Sequence, residues 1–215
     1  MPDGRMLLRL CDLAVAGQLF LLASAWLLPL ISEFSLISDT IGELVLGREG
    51  GVQALAFLIC GLGNVGLAFV LRRFTRELRG SAVMSTLLLL NAVGLIVAGL
   101  VPTDRIDSPA DMLTLSSDGL VHVAAAFIGL VCAVLAMFVG SWMFGRDCDW
   151  RPLVLWSVLL SSGSLALLFA QTQGPLLGLL QRALVTLVSA WMIMVALRAR
   201  GMADRRVPAS PATPR

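Results

Sequence analysis

The chain has 215 residues, of which 58% are hydrophobic and 14% charged, with mean hydropathy +0.89. Soluble domains carry roughly 25% charged residues, so an ordinary water-soluble globule is excluded. The net charge of +2 is too small to argue for a nucleic-acid partner.

Arg5 and Arg9 precede the first apolar run. Ala23-Ser24-Ala25 imitates a signal-peptide cleavage site, but the run continues from Trp26 to Ile31 and reaches spanning length. An uncleaved first transmembrane helix is expected over residues 12–31. The stretch 32–50 mixes Phe34, Leu36, Ile37, Ile41 and Leu44 with charges. Thr40 and Glu43 have capping-box spacing, which predicts a short interfacial helix within a lid that lies on the membrane.

The second span is expected at 51–71. It contains Gly61-Leu62-Gly63-Asn64-Val65-Gly66, a literal GxGxxG without the strand that a dinucleotide site needs. In an apolar helix such glycines let neighbouring backbones approach, and Asn64 is placed to hydrogen-bond between helices. The third span is expected at 81–101, with Asn91 inside it. It is followed by Asp104 and by a second capping-box pattern, Ser108 to Asp111.

The fourth span is expected at 120–144, and Asp118 and His122 stand at its start. The fifth, at 153–170, carries Ser161, Ser162 and Ser164. A tight connector, Gln171 to Gly174, makes it a hairpin with the sixth span at 175–197. Arg182 lies about 10 Å along that last helix, where an arginine must pair or snorkel. Residues 1–200 thus form one all-α bundle of six transmembrane helices with short outer interfacial helices. The Pro-, Ala- and Arg-rich residues 201–215 are expected to be a disordered cytoplasmic tail.

All 16 basic residues are arginine. Arg5, Arg9, Arg72, Arg73, Arg76, Arg79, Arg146, Arg151, Arg198, Arg200, Arg205, Arg206 and Arg215 fall on one side of the predicted spans. The positive-inside rule makes that side cytoplasmic, with both termini there and the protein in a cell (inner) membrane. Acidic residues collect on the other side: Glu33, Asp39, Glu43, Glu49, Asp104, Asp107, Asp111 and Asp118.

His122 is the sole histidine, which excludes paired-histidine haem ligation and multi-histidine zinc sites within one chain. Four cysteines without metal-ligand spacing indicate no disulfide framework. No metal and no cofactor are expected. The acidic groups with His122 read as a solvated rim in preference to a cation site.

Helix side chains tilt toward the helix amino terminus, which for the fourth and sixth spans is the outer end. Arg182 and His122 are therefore expected in one layer beneath residues 35–47. Asp39, Glu43, Asp104 and Asp118 are within reach, and Arg182 is expected to hydrogen-bond at least one of these carboxylates. Asp39, Glu43, Asp104, Asp118, His122 and Arg182 form the candidate binding or catalytic cluster.

Several segments carry a resemblance. They are Ser35 to Gly47, Ala56-Phe57 with Gly61, Gly99-Leu100-Val101-Pro102-Thr103-Asp104, Asp118-Gly119-Leu120-Val121-His122, and Gly178-Leu179-Leu180-Gln181-Arg182 before Trp191. Together they resemble the bacterial and archaeal multi-span family of unknown function catalogued as number 998, over nearly the whole chain to about residue 200. The resemblance implies a six-span membrane protein without an established activity and highlights Asp104, His122 and Arg182.

Three functions are compatible with these residues. The favoured one is binding of a lipid or other amphiphile at the outer-leaflet face. The others are an intramembrane enzyme using acid–base chemistry on a lipid-like substrate, and a small-solute transporter using Gln18, Asn64, Asn91 and the serines. The partners implied are membrane lipid and a lipid-like or small-molecule ligand. The sequence does not give the oligomeric state.

Overall fold

The computed structural model describes residues 4–106, 111–171 and 174–205. Six long helices follow one another: α1 Gly4–Leu27, α2 Gly50–Thr75, α3 Ser81–Leu100, α4 Ser117–Phe144, α5 Val154–Ala170 and α6 Leu177–Asp204. All six are long and apolar enough to cross a membrane, α1 and α5 each with an adjoining 3-10 turn. Each helix packs on its neighbours in sequence, and α6 returns to α1, so the six close a ring.

The helices overrun the apolar runs at one end. Arg200 Nε on α6 pairs with Asp12 Oδ1 on α1 at 2.6 Å, and Arg198 and Arg205 both lie on Asp149 of the α4–α5 connector. These contacts join the arginines at the end of α6 to acidic partners far apart in sequence and mark one end of the ring, hereafter the arginine end. They also carry α6 to Asp204, a few residues into the stretch expected to be tail. Residues 206–215 lie outside those described. The opposite, loop end carries residues 31–49 and the α3–α4 connection. Thr40 and Glu43 do form a reciprocal capping pair: Thr40 N–H donates to Glu43 Oε2 (2.7 Å) and Glu43 N–H to Thr40 Oγ1 (3.3 Å). The helix they start is one 3-10 turn, Glu43–Leu46. The second predicted capping box falls mostly outside the described residues; a 3-10 turn, Asp111–Leu113, follows it.

The GxGxxG glycines are packing surfaces. A Cβ on Gly63 would lie 2.9 Å from Ala14 Cα, and one on Gly61 would lie 3.0 Å from the Ala92 carbonyl oxygen. At the same level an amide chain crosses four helices. Gln18 Nε2 donates to Asn64 Oδ1 (2.8 Å), Asn64 Nδ2 to Asn91 Oδ1 (2.8 Å), and Asn91 Nδ2 to the Gly129 carbonyl (3.1 Å). In lipid each of these groups has no water to turn to, so the chain satisfies them within the protein.

Two apolar clusters lie on either side of this line. The larger, toward the arginine end, includes Leu67, Leu71, Met84, Met137, Phe144, Trp150 and Trp191. The smaller, toward the loop end, includes Leu21, Phe34, Ile41, Leu44 and Phe57.

Candidate functional site

Between the amide chain and the loop end, the ring encloses a cavity of about 270 Å³. All six helices contribute to its lining. Its depth follows α4, where His122, Val123, Ala126, Phe127, Gly129 and Leu130 line it, a helical stripe roughly 12 Å long. Asn91 and Gly129 form the floor, and both are already engaged in the amide chain. Thr40, Ile41 and Gly42 of the loop and Thr103 and Ile106 of the α3–α4 connection stand at the rim with His122, Gln171 and Gln181. Phe127 lines the cavity and is also 55% exposed. The α4 wall there is one side chain thick, with the cavity on one face and the bundle surface on the other.

The roof is held down from below by α6. Arg182 is fully buried, and its guanidinium bonds three backbone carbonyls. Nε donates to Ala25 (2.8 Å), and Nη1 donates to Leu36 (3.2 Å) and Asp39 (2.6 Å). Gln181 Oε1 accepts from the Ile41 N–H (2.7 Å), and the Leu179 N–H donates to the Ile37 carbonyl (3.0 Å). Gly178 allows the approach, since a Cβ there would lie 2.3 Å from the Asp39 carbonyl oxygen.

The expected ion pair is therefore replaced. Arg182 touches Asp39 through its main chain, and none of the four candidate carboxylates bonds to the guanidinium. The physical reason is the irregular loop: outside a helix its carbonyls lack intrachain partners, and a buried polar backbone needs donors. Nη2 has no hydrogen-bond partner.

The carboxylates serve the loops. Asp39 accepts from the Ser35 N–H (2.8 Å) and Ser38 Oγ (2.9 Å), closing its own turn. Glu43 is buried; Oε2 accepts from Thr40, and Oε1 accepts from the Ile106 N–H (2.9 Å), which ties the roof to the α3–α4 connection. Asp104 accepts from the N–H (2.6 Å) and Oγ (2.9 Å) of Ser116. Ser116 in turn caps α4 by accepting from the Gly119 N–H (3.0 Å). Asp118 is exposed on the first turn of α4 and does not join the others. Among the described residues no three His, Cys, Asp or Glu side chains come together as a metal site.

His122 meets the roof as expected. Its Nε2 lies where a Cβ on Gly42 would approach to 2.9 Å, and its Nδ1 is 2.7 Å from the Val101 carbonyl. A carbonyl only accepts, so Nδ1 carries the hydrogen. An imidazolium here would be a buried charge with no carboxylate bonded to it, so the neutral ring fits. Its Nε2 then presents a lone pair.

Of the six candidates, only His122 lines the cavity. Arg182 and Glu43 hold the roof, Asp39 shapes it and Asp104 sets the start of α4. Gln171, Gln181 and Gly42 were not marked as site residues by the sequence. Each stands beside a residue that was marked or at a recognised connector, and that adjacency was the only signal.

A family model described as protein of unknown function (DUF998) matches residues 14–198. The chain belongs to this family. The match runs from α1 to near the end of α6 and contains the roof, the cavity lining and the amide chain of this DUF998 protein. No curated protein and no solved structure matches the chain.

Proposed function

We propose that the protein binds a lipid-like amphiphile in this cavity. The apolar body of the ligand lies between the helices, and its polar head lies at the rim beneath residues 40–42. The observation that carries this reading is the distribution of polarity: the wall is apolar, the polar floor is already hydrogen-bonded, and the groups with capacity to spare sit at the rim. Ligand pockets are built this way, largely apolar with a few placed polar groups. The thin α4 wall at Phe127 supports entry from the surrounding lipid.

Acid–base catalysis is less favoured, because the carboxylates of Asp39, Glu43 and Asp104 are spent on loop N–H and hydroxyl groups. Transport is less favoured, because the cavity floor backs onto the packed cluster toward the arginine end. The arginine distribution supports a loop end at the outer leaflet, with both chain ends cytoplasmic in a cell membrane.

Native mass spectrometry of the protein extracted with its own lipid tests the binding. Wild type should retain an adduct that Ala126→Trp, which fills the cavity, loses at unchanged thermal stability. Equal retention by both refutes the reading. Reporter fusions test the orientation: Arg76 and Arg146 should report cytoplasm and Ser108 the exterior. A cytoplasmic signal at Ser108 inverts it.

A further inference from the structure

We infer that the occupant is uncharged and carries an alcohol, a single-chain amphiphile with a hydroxyl at the rim. The inference rests on the cavity-binding reading above and names the chemistry of the ligand. No charged side chain lines the cavity among the described residues. The internal stretches left undescribed, 107–110 and 172–173, contain no basic residue either. The buried cation close by, Arg182, spends Nε and Nη1 on three carbonyls, leaves Nη2 buried without a partner, and does not line the cavity. A phosphate or carboxylate head would therefore leave water for a pocket without a countercharge.

The hydrogen-bonding inventory is specific. His122, with Nδ1–H held by Val101, offers one acceptor at Nε2. Gln171 Nε2 is buried without a partner, so Gln171 offers a donor. Gln181 has its oxygen occupied by the Ile41 N–H, so what it offers to the cavity is also its amide N–H. The hydroxyls of Thr40 and Thr103 are already engaged, with Glu43 and the Asp104 carbonyl. A hydroxyl donates once and accepts up to twice, so it can engage His122 Nε2 and both amide N–H groups at once. An ether or ester leaves His122 unmatched, and an ammonium leaves both amides unmatched. The volume, just below the roughly 300–1,000 Å³ of small-molecule pockets, suits one chain.

The test compares dodecanol, dodecyl methyl ether and dodecyl phosphate, which share a chain and differ only in the head. Each is titrated at pH 8 against the full chain in nanodiscs and followed by native mass spectrometry. Dodecanol should bind about tenfold more tightly than the ether, the worth of about one net hydrogen bond, and more tightly still than the phosphate. His122→Phe should bring the alcohol-to-ether ratio to about one. Gln171→Leu, which orphans no protein group, should weaken dodecanol about tenfold and carries the test should the histidine variant fail to fold. Phosphate binding as tight as dodecanol, an alcohol preference that survives His122→Phe, or dodecanol binding unchanged by Gln171→Leu, overturns the inference. No binding of any of the three, or binding unchanged in Ala126→Trp, overturns the cavity reading itself.

Discussion

At the arginine end, Phe144 is stacked between two indoles, 4.8 Å from Trp150 and 6.4 Å from Trp191. Trp191 is itself fixed by a 3.0 Å bond from Nε1 to Ser157 Oγ. At the loop end the same six helices enclose space, and what closes them is a strap of backbone held by Arg182, Gln181 and Glu43. One half of the bundle is packed by large rings and the other by a polar lid over a void. Lipid surrounds both halves, so solvent does not explain the difference. It lies in where bulky side chains face inward, and it separates a part that holds the ring together from a part with room for a guest.

Substitutions should sharpen this contrast. Phe144→Ala removes the centre of a stack with no slack around it and should cost about 3–5 kcal/mol, read as a lowered unfolding temperature in detergent. Arg182→Ala should come next. It strips the donor from three buried carbonyls, at about 1–3 kcal/mol for each group left unpaired, although part of that returns if the strap lifts into water. The sharper readout is faster proteolysis within residues 35–47 with the helices intact; unchanged protection there would show that the guanidinium does not hold the strap. Leu95→Ala, at the cavity wall, should cost under about 2 kcal/mol, below the usual range for a buried leucine, because some of its neighbours are already missing. Ala126→Leu should be neutral or stabilising for the same reason. A loss as large as that of Phe144→Ala at either wall position would erase the contrast between the two ends.

Much of the frame was legible in the sequence. Hydropathy and the arginine distribution found the six helices, the Thr40–Glu43 spacing found its capping pair, and the lid expected over residues 35–47 does meet both His122 and Arg182. The partner of Arg182 was not legible. A carboxylate announces itself as a residue type, whereas a carbonyl belongs to every residue and becomes a partner only when its segment leaves regular structure. Asp118 misled for a related reason. Four residues from His122 is close on a helix, but Ser116 and Asp104 already fix the start of α4, and Asp118 is left facing outward. The cavity was hidden because its useful groups are neutral. Gln171 and Gln181 carry no charge that composition would flag.

The amide chain has a consequence for how the protein meets membranes of different thickness. Gln18, Asn64 and Asn91 are joined by bonds of 2.8 Å, and one residue of sliding displaces a helix by about 1.5 Å, enough to break such a bond. The helices from α1 to α4 therefore cannot slip past one another to match a thinner or thicker bilayer. They must tilt as one body. The helix α5 stands outside this chain and, with its adjoining 3-10 turn, spans 20 residues, about 31 Å, close to a typical 30 Å hydrocarbon core. No bond of the amide chain fixes its height against α1 to α4, which makes that side of the ring the place where a change in membrane thickness is most easily taken up.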